Sequence, residues 1–198
     1  MKGGEYEEFG TLSSQGKRND LKHVRQLIKD GNNLRGVLKA SNCYQHLCVA
    51  QKTFGLYEKA RDWKPIVRWF HGSTGAGKSR EAFRLAEGRD YWVSAKTLKW
   101  WEGYDGHELV IFDDFRADFC TFHELLKILD RYAYRVEYKG GSRQLLAREI
   151  IITSCWKPSD VYRNREDIGQ LLRRIDEIRL FGTEVVGNNS STTLDFFD

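Results

Sequence analysis

Three observations predict an α/β fold with a mostly parallel, covered sheet, preceded by a small all-helical unit. Two uninterrupted apolar runs, ELVIF (residues 108–112) and EIIITS (149–154), have the composition of strands buried on both faces. Strand-prone and helix-periodic segments alternate from residue 66 onward, the pattern of strands joined by crossover helices. A third apolar strand, IVRWF (66–70), leads through GSTGAGKS (72–79) into the helix-forming SREAFRLAEG (79–88).

Residues 1–16, rich in Gly, Ser and Glu, read as a leader or linker. From Asn19, the residues Leu21, Val24, Leu27 and Ile28 recur at helical spacing. Asn19 or Asp20 serves as N-cap, and Gly31 with the two Asn after it as the stop. A second helix is expected from about Leu34 to Lys52, and a third, FGLYEKARD, leads to Trp63. Residues 17–62 thus form a helical unit too small to bury much alone, either a packing appendage or a subunit-contact module.

Residues 63–182 form the α/β domain. DYWV (90–93) is a short strand, and TFHELLKILDRY (121–132) a helix capped by Thr121 with Glu124 in capping-box position. YRVEYKGGSRQLL (134–146) is a hairpin across Gly140 and Gly141, and EDIGQLLRRI (166–175) a further helix. The tail over 183–198, rich in Asn, Ser and Thr, reads as disordered.

Composition narrows the function. A 198-residue chain with 40% hydrophobic and 30% charged residues is ordinary for a soluble globular protein. A net charge of +4 permits an anionic partner without requiring one. Cys43, Cys48, Cys120 and Cys155 show neither CxxC pairing nor zinc spacing, and no secretory signal or membrane-length apolar run is present. Reduced thiols in a soluble, intracellular protein with no membrane partner are expected.

The loop Gly72, Ser73, Thr74, Gly75, Ala76, Gly77, Lys78, Ser79 fits G-x-x-x-x-G-K-[ST] at every specified position, after a strand and at the start of a helix. Its glycines let backbone N–H groups curl around phosphate oxygens, and the helix N-terminus adds partial positive charge. Lys78 is expected to reach the β- and γ-phosphates of ATP, and Ser79 to ligate Mg²⁺. The run LVIFDDF supplies the acidic half of such a site in Asp113 and Asp114. Adjacent strand residues point to opposite sides, so the two acids do different work: Asp113 for the Mg²⁺ shell, Asp114 for the attacking water.

Three further groups draw notice. EIIITSC ends where a γ-phosphate sensor would sit, with Thr153 and Ser154 as candidates before Cys155. QLLRRI carries Arg173 and Arg174, either of which, offered to a neighbouring subunit's nucleotide, would neutralise transition-state charge. The hairpin carries Arg135, Lys139, Gly140 and Arg143, with Lys139 beside the turn, where it can reach a nucleic-acid backbone. Trp100 and Trp101 could stack bases, although core packing is the more ordinary use of a Trp pair.

GSTGAGKS, YWVSAKTLKWWEGYDGHELVIFDDF, YRVEYKGGSRQLLAREIIITS and QLLRRI together resemble the replication-initiator (Rep) proteins of circoviruses and related circular single-stranded DNA viruses, over residues 10 to 182. The resemblance implies a superfamily 3 helicase, an AAA+-like P-loop ATPase that assembles as a hexameric ring. It would translocate on single-stranded DNA during rolling-circle replication in the host nucleus. It places Walker A on Gly72–Ser79, Walker B on Asp113 and Asp114, and the DNA-contacting hairpin on Tyr138–Ser142. Motif C falls on Ile150–Cys155, the arginine finger on Arg173 or Arg174, and an oligomerisation collar on residues 17 to 62.

Two departures from that family pattern matter. Motif C usually ends in Asn, where this chain has Cys155, and Thr153, Ser154 or Lys157 would have to substitute. The family's endonuclease motifs, His-x-His and Tyr-x-x-Lys, are absent, and KGGEYEEFG resembles the segment just after that domain. The chain therefore reads as a helicase-domain piece that does not nick DNA. The alternative is a nucleotide-dependent DNA-binding or assembly module with little hydrolysis, which Cys155 favours.

Overall fold

The computed structural model describes residues 19–162 and 167–182; the leader and tail expected over 1–16 and 183–198 lie outside the described residues. The chain divides into two compact units between Thr53 and Phe54.

The first unit holds α1 (Asn19–Lys29), α2 (Leu34–Ala40) and most of α3 (Tyr44–Tyr57). Gly31, at φ +85°, turns the chain out of α1; its N–H bonds Ile28 O at 3.1 Å, and Asn32 N–H bonds Leu27 O at 3.0 Å. Asn33 caps α2 by accepting from Gly36 N–H at 2.9 Å. Asn19 and Asp20, expected as caps, instead occupy the first turn of α1, and Asp20 bonds His46 Nε2 at 3.1 Å.

The single helix expected over 34–52 is broken at Ser41. This residue is extended, its Oγ accepts from Cys43 N–H at 3.2 Å, and it also bonds the His46 ring at 2.6 Å. The hydroxyl satisfies a backbone donor that a continuing helix would have used. The helix resumes at Tyr44 and runs on into the FGLY of the expected third helix. Among the described residues of this unit, only Val24, Val37 and Ala50 are 1% exposed or less, so the core they form is slight.

The second unit is built on five parallel strands in the order β2-β3-β6-β1-β7: β1 (Ile66–Gly72), β2 (Tyr91–Val93), β3 (Leu109–Phe112), β6 (Glu149–Ser154) and β7 (Glu177–Phe181). An antiparallel pair, β4 (Arg135–Tyr138) and β5 (Gly141–Gln144), forms the predicted hairpin, but its turn falls one residue earlier than expected, on Lys139–Gly140 with Gly140 at φ +99°, because Gly141 already pairs with Tyr138. The helices are α4 (Lys78–Ala86), α5 (Phe122–Ile128), α6 (Pro158–Val161) and α7 (Gly169–Leu172).

Strand parity explains the unbroken apolar runs. Val67, Trp69, Val110, Phe112, Ile150 and Ile152 pack on one face with Phe122, Leu125 and Leu126 of α5. Phe70, Leu109, Ile111 and Ile151 pack on the other with Ala82 and Ala86 of α4. Both faces are covered, so no polar alternation survives. Each fully buried Phe or Ile there contributes about 1.5–3 kcal/mol.

Three boundaries differ from expectation. α5 ends at Ile128, not Tyr132, because buried Arg61 donates to Lys127 O, Ile128 O and Tyr132 O at 3.2, 2.7 and 3.1 Å. The guanidinium caps the helix C-terminus, and burial holds its pKa down at about 10. The helix expected over 166–175 begins outside the described residues and shrinks to α7. The chain must leave the helix to form β7, a strand the sequence did not announce; Asp176 prepares it by bonding both Val67 O and Val67 N–H at 2.8 Å.

Candidate nucleotide site

The strand order sets the carboxyl ends of β1, β6 and β3 side by side, the place where open α/β sheets form their crevice. The glycine loop leaves β1 there. Gly72 has φ +132°, and a Cβ on it would meet Phe181 O at 2.0 Å. Gly75 and Gly77 stand at φ +81° and +94°, where an L side chain is strained even though the space is open. α4 then starts directly at Lys78, and no side chain caps its first N–H groups.

Lys78 is 8% exposed and its ammonium lies inside the loop, donating to Gly72 O at 2.9 Å and Ser73 O at 2.8 Å. One residue on, Ser79 Oγ donates to Asp113 Oδ1 at 2.7 Å. Leu109, Ile111 and residue 113 share the α4 face of β3, which is why Asp113 meets Ser79 and Asp114 does not. Phe112 pairs with Ile152, so residues 113 and 153 are neighbours; Thr153 Oγ1 donates to Asp113 Oδ1 at 2.8 Å and accepts from Asp114 N–H at 2.9 Å.

Asp114 takes the left-handed backbone, φ +51°, the sole non-glycine among the described residues to do so. Its half-exposed carboxylate receives Arg116 Nη2 at 2.9 Å and lines an open cleft of about 530 Å³ with Asp113, Lys96 and Ser94. The structure thus separates the two acids as parity required: Asp113 inward under α4, Asp114 outward into the cleft.

The oxygens suit a hard divalent cation. Ser79 Oγ and Asp113 Oδ1 lie 2.7 Å apart, near the ~2.9 Å separating neighbouring oxygens of an octahedral shell at ~2.0–2.1 Å.

The third strand redistributes the sensor candidates. Ser154 is fully buried, donating to Phe115 O at 2.7 Å and accepting from Trp156 N–H at 3.1 Å, so its hydroxyl is consumed in packing rather than offered to a nucleotide. Thr153 lies beneath Asp113. Exposed Cys155 is the residue that reaches the loop, its Sγ 3.7 Å from Thr74 Oγ1.

The arginines separate too. Arg174 lies half-buried, with Nη2 on Asp130 Oδ2 at 2.5 Å and Nη1 on Gln170 O at 2.6 Å. Burial opposes ionisation of Asp130, but the hydrogen bonds from Arg174 and the Arg131 N–H, with the charges of Arg174 and Arg173, together hold the carboxyl below the usual range. Arg173, the C-cap of α7, is exposed.

In the hairpin, Lys139 and Gly140 are exposed at the turn, and Lys139 N–H donates to Glu102 Oε1 at 2.9 Å. Arg135 is exposed but commits Nη2 to Gly55 O at 2.6 Å and Ser142 Oγ at 2.9 Å. Arg143, expected as a DNA contact, is instead 3% exposed. Its guanidinium bonds Glu58 at 2.6 Å and Asp105 at 2.5 Å and lies 4.2 Å over the Phe54 ring. Burial opposes that charge, yet the two carboxylates outweigh it and raise the pKa. Glu58 and Asp105 were not legible as partners from sequence, since they lie 85 and 38 positions away.

Comparison with known proteins shows what the chain is similar to. A protein-family model described as RNA helicase matches residues 68–156, the span from β1 to just past β6. The replication-associated protein of goose circovirus is 44% identical over 122 residues, covering 62% of this chain and 41% of that protein. That of porcine circovirus 1 is 35% identical over 184 residues, covering 89% and 58%. That of human associated cyclovirus 1 is 36% identical over 194 residues, covering 90% and 67%. The chain spans 41% and 58% of the length of the first two of these relatives. With the phosphate loop, the acidic pair and the hairpin all inside the aligned region, the chain belongs to the family of viral replication-associated proteins.

Proposed function

We propose that this chain is the ATP-driven helicase motor of a viral replication-associated protein, hydrolysing ATP to move along single-stranded DNA in rolling-circle replication. The observation that carries the reading is the convergence on one crevice of Lys78 inside the glycine loop, Ser79 on Asp113, and Asp114 standing free of that pair.

The loop amides and Lys78 would hold the triphosphate, with Ser79 and Asp113 holding Mg²⁺. Bound there, Mg²⁺ would supply charge neutralisation for the phosphate oxygens. Asp114, facing solvent at the mouth of the crevice, would orient and deprotonate a water that attacks the γ-phosphorus, breaking the bond to the β-phosphate oxygen. Arg173, exposed where Arg174 is tied to Asp130, is the better finger for a neighbouring subunit of a ring. Lys139 at the hairpin turn would grip the DNA backbone, and the helical first unit would serve as the oligomerisation collar.

ATP turnover measured with and without single-stranded DNA tests this, using Lys78→Ala and Lys139→Ala. Loss of turnover in the first and loss of DNA stimulation in the second are expected; unchanged turnover in both would exclude the motor. A second reading, a nucleotide-dependent assembly module with little hydrolysis, is favoured by Cys155, whose thiol beside Thr74 is a weak hydrogen-bond donor. Cys155→Asn tests this second reading: since the thiol is what motivates it, no rise in turnover on restoring Asn would count against it.

A further inference from the structure

The two tryptophans of KWWEG have opposite fates. Trp101 is 1% exposed, stacked on Trp92 with ring centroids 4.4 Å apart, and its indole N–H donates to Leu98 O at 2.9 Å. Trp100 is 38% exposed, with Lys99 Nζ 5.6 Å from its ring centroid. The core therefore consumes one indole and leaves the other on the surface.

Trp100 does not stand alone there. It shares an open cleft of about 400 Å³ with Lys96, Glu102 and Lys139. Glu102 ties the two parts together, since its carboxylate accepts the backbone N–H of Lys139 at 2.9 Å. That bond fixes the hairpin turn beside the KWWEG turn. Lys96 and Lys139 line the cleft against the single carboxylate of Glu102, and Lys99 stands beside the Trp100 ring, so the surroundings of the aromatic face are cationic. Such a pairing suits a polyanion bearing flat rings, which stacks its bases on an indole while lysines hold its phosphates. An acidic protein segment would satisfy the lysines but not the ring. The segment Val93, Ala95 and Lys96 also lines the cleft that holds Asp113 and Asp114, so an occupant of the Trp100 cleft lies one wall away from the acidic pair.

We propose that Trp100 is a base-stacking platform for single-stranded DNA, with Lys96, Lys99 and Lys139 as its phosphate-holding rim. This rests on the reading above that Lys139 faces the DNA strand. Because every base has a π-face, the platform tolerates any sequence, as a translocating motor requires.

The test measures binding of the full chain to a fluorescent oligo-dT and to an abasic strand of equal length and charge, across a salt series. The variants are Trp100→Ala, Trp100→Phe and Lys139→Ala, each checked for an unshifted thermal midpoint. Trp100→Ala should weaken oligo-dT binding by roughly tenfold, within the range that loss of one base stack allows. It should leave the salt slope unchanged, Trp100→Phe should retain most of the affinity, and the abasic strand should bind wild type and Trp100→Ala alike. Lys139→Ala should instead reduce the salt slope by about 1. If Lys139→Ala weakens binding while Trp100→Ala does not, or if Trp100→Ala weakens the abasic strand equally, the platform is wrong while the motor reading stands. If neither variant changes binding, or the chain binds no single strand, both readings fall.

Discussion

Thr153 Oγ1 donates to Asp113 Oδ1 at 2.8 Å while accepting the N–H of Asp114 at 2.9 Å. One hydroxyl thus fixes the orientation of the first acid and the left-handed backbone of the second. The strand between the phosphate loop and the acidic pair acts on the acids from below, and the residue after its end that reaches the loop is Cys155.

Thr153→Val keeps the branched shape and removes both hydrogen bonds. Each bond to a charged or strained group is worth about 1–3 kcal/mol, so turnover should fall roughly tenfold or more with ATP affinity changed less than about threefold. Thr153→Ser should recover most of the rate. Steady-state hydrolysis alongside calorimetric binding checks this; a Val variant that hydrolyses normally would show that Thr153 only packs.

Arg143 and Lys139 lie four residues apart on one hairpin yet should fail differently. Arg143→Ala removes the buried guanidinium that pairs with both Glu58 and Asp105, which costs about 3–5 kcal/mol. Lys139→Ala, at an exposed turn, should change stability by no more than about 0.5 kcal/mol. Denaturant unfolding followed by Trp fluorescence distinguishes them.

Arg173→Ala should leave stability within about 0.5 kcal/mol but lower turnover of assembled protein by roughly a thousandfold. Arg174→Ala should cost about 1–3 kcal/mol through Asp130 and the Gln170 carbonyl. If the finger works in trans, mixing Lys78→Ala with Arg173→Ala protein should restore part of the activity that each lacks alone. No restoration, with normal assembly, would assign the finger elsewhere.

Thiol labelling at pH 8 should modify Cys155 and Cys43 rapidly and spare Cys120. Burial pushes the Cys120 thiol up to about 12, so almost none is thiolate at that pH, and the thiolate is the reactive form. Because Cys155 touches Thr74 of the loop, Mg·ATP should slow its labelling and leave Cys43 unaffected. Equal rates at Cys155 with and without nucleotide would place the triphosphate elsewhere.

Much of this was legible in the chain because the signals are local. GSTGAGKS needs only its own glycines and the helix it opens. The apolar runs of β3 and β6 report burial on both faces. β7 escaped notice because EIRLF carries Glu177 and Arg179, and Ile178 and Leu180 stay 48% and 42% exposed at the sheet edge. The break at Ser41 depends on one hydroxyl competing for a backbone N–H, which periodicity does not register. Arg143 looked like a DNA contact because its carboxylate partners are remote in sequence. Trp100 and Trp101 are adjacent and identical, and only packing could divide them.

The most direct measurement is calorimetric titration of the full chain with ATP, with and without Mg²⁺, in wild type and Lys78→Ala. Saturable, Mg²⁺-dependent binding that disappears in Lys78→Ala is predicted. Wild-type protein with no affinity for Mg·ATP, or a Lys78→Ala variant that binds it as tightly, would contradict the account at its root.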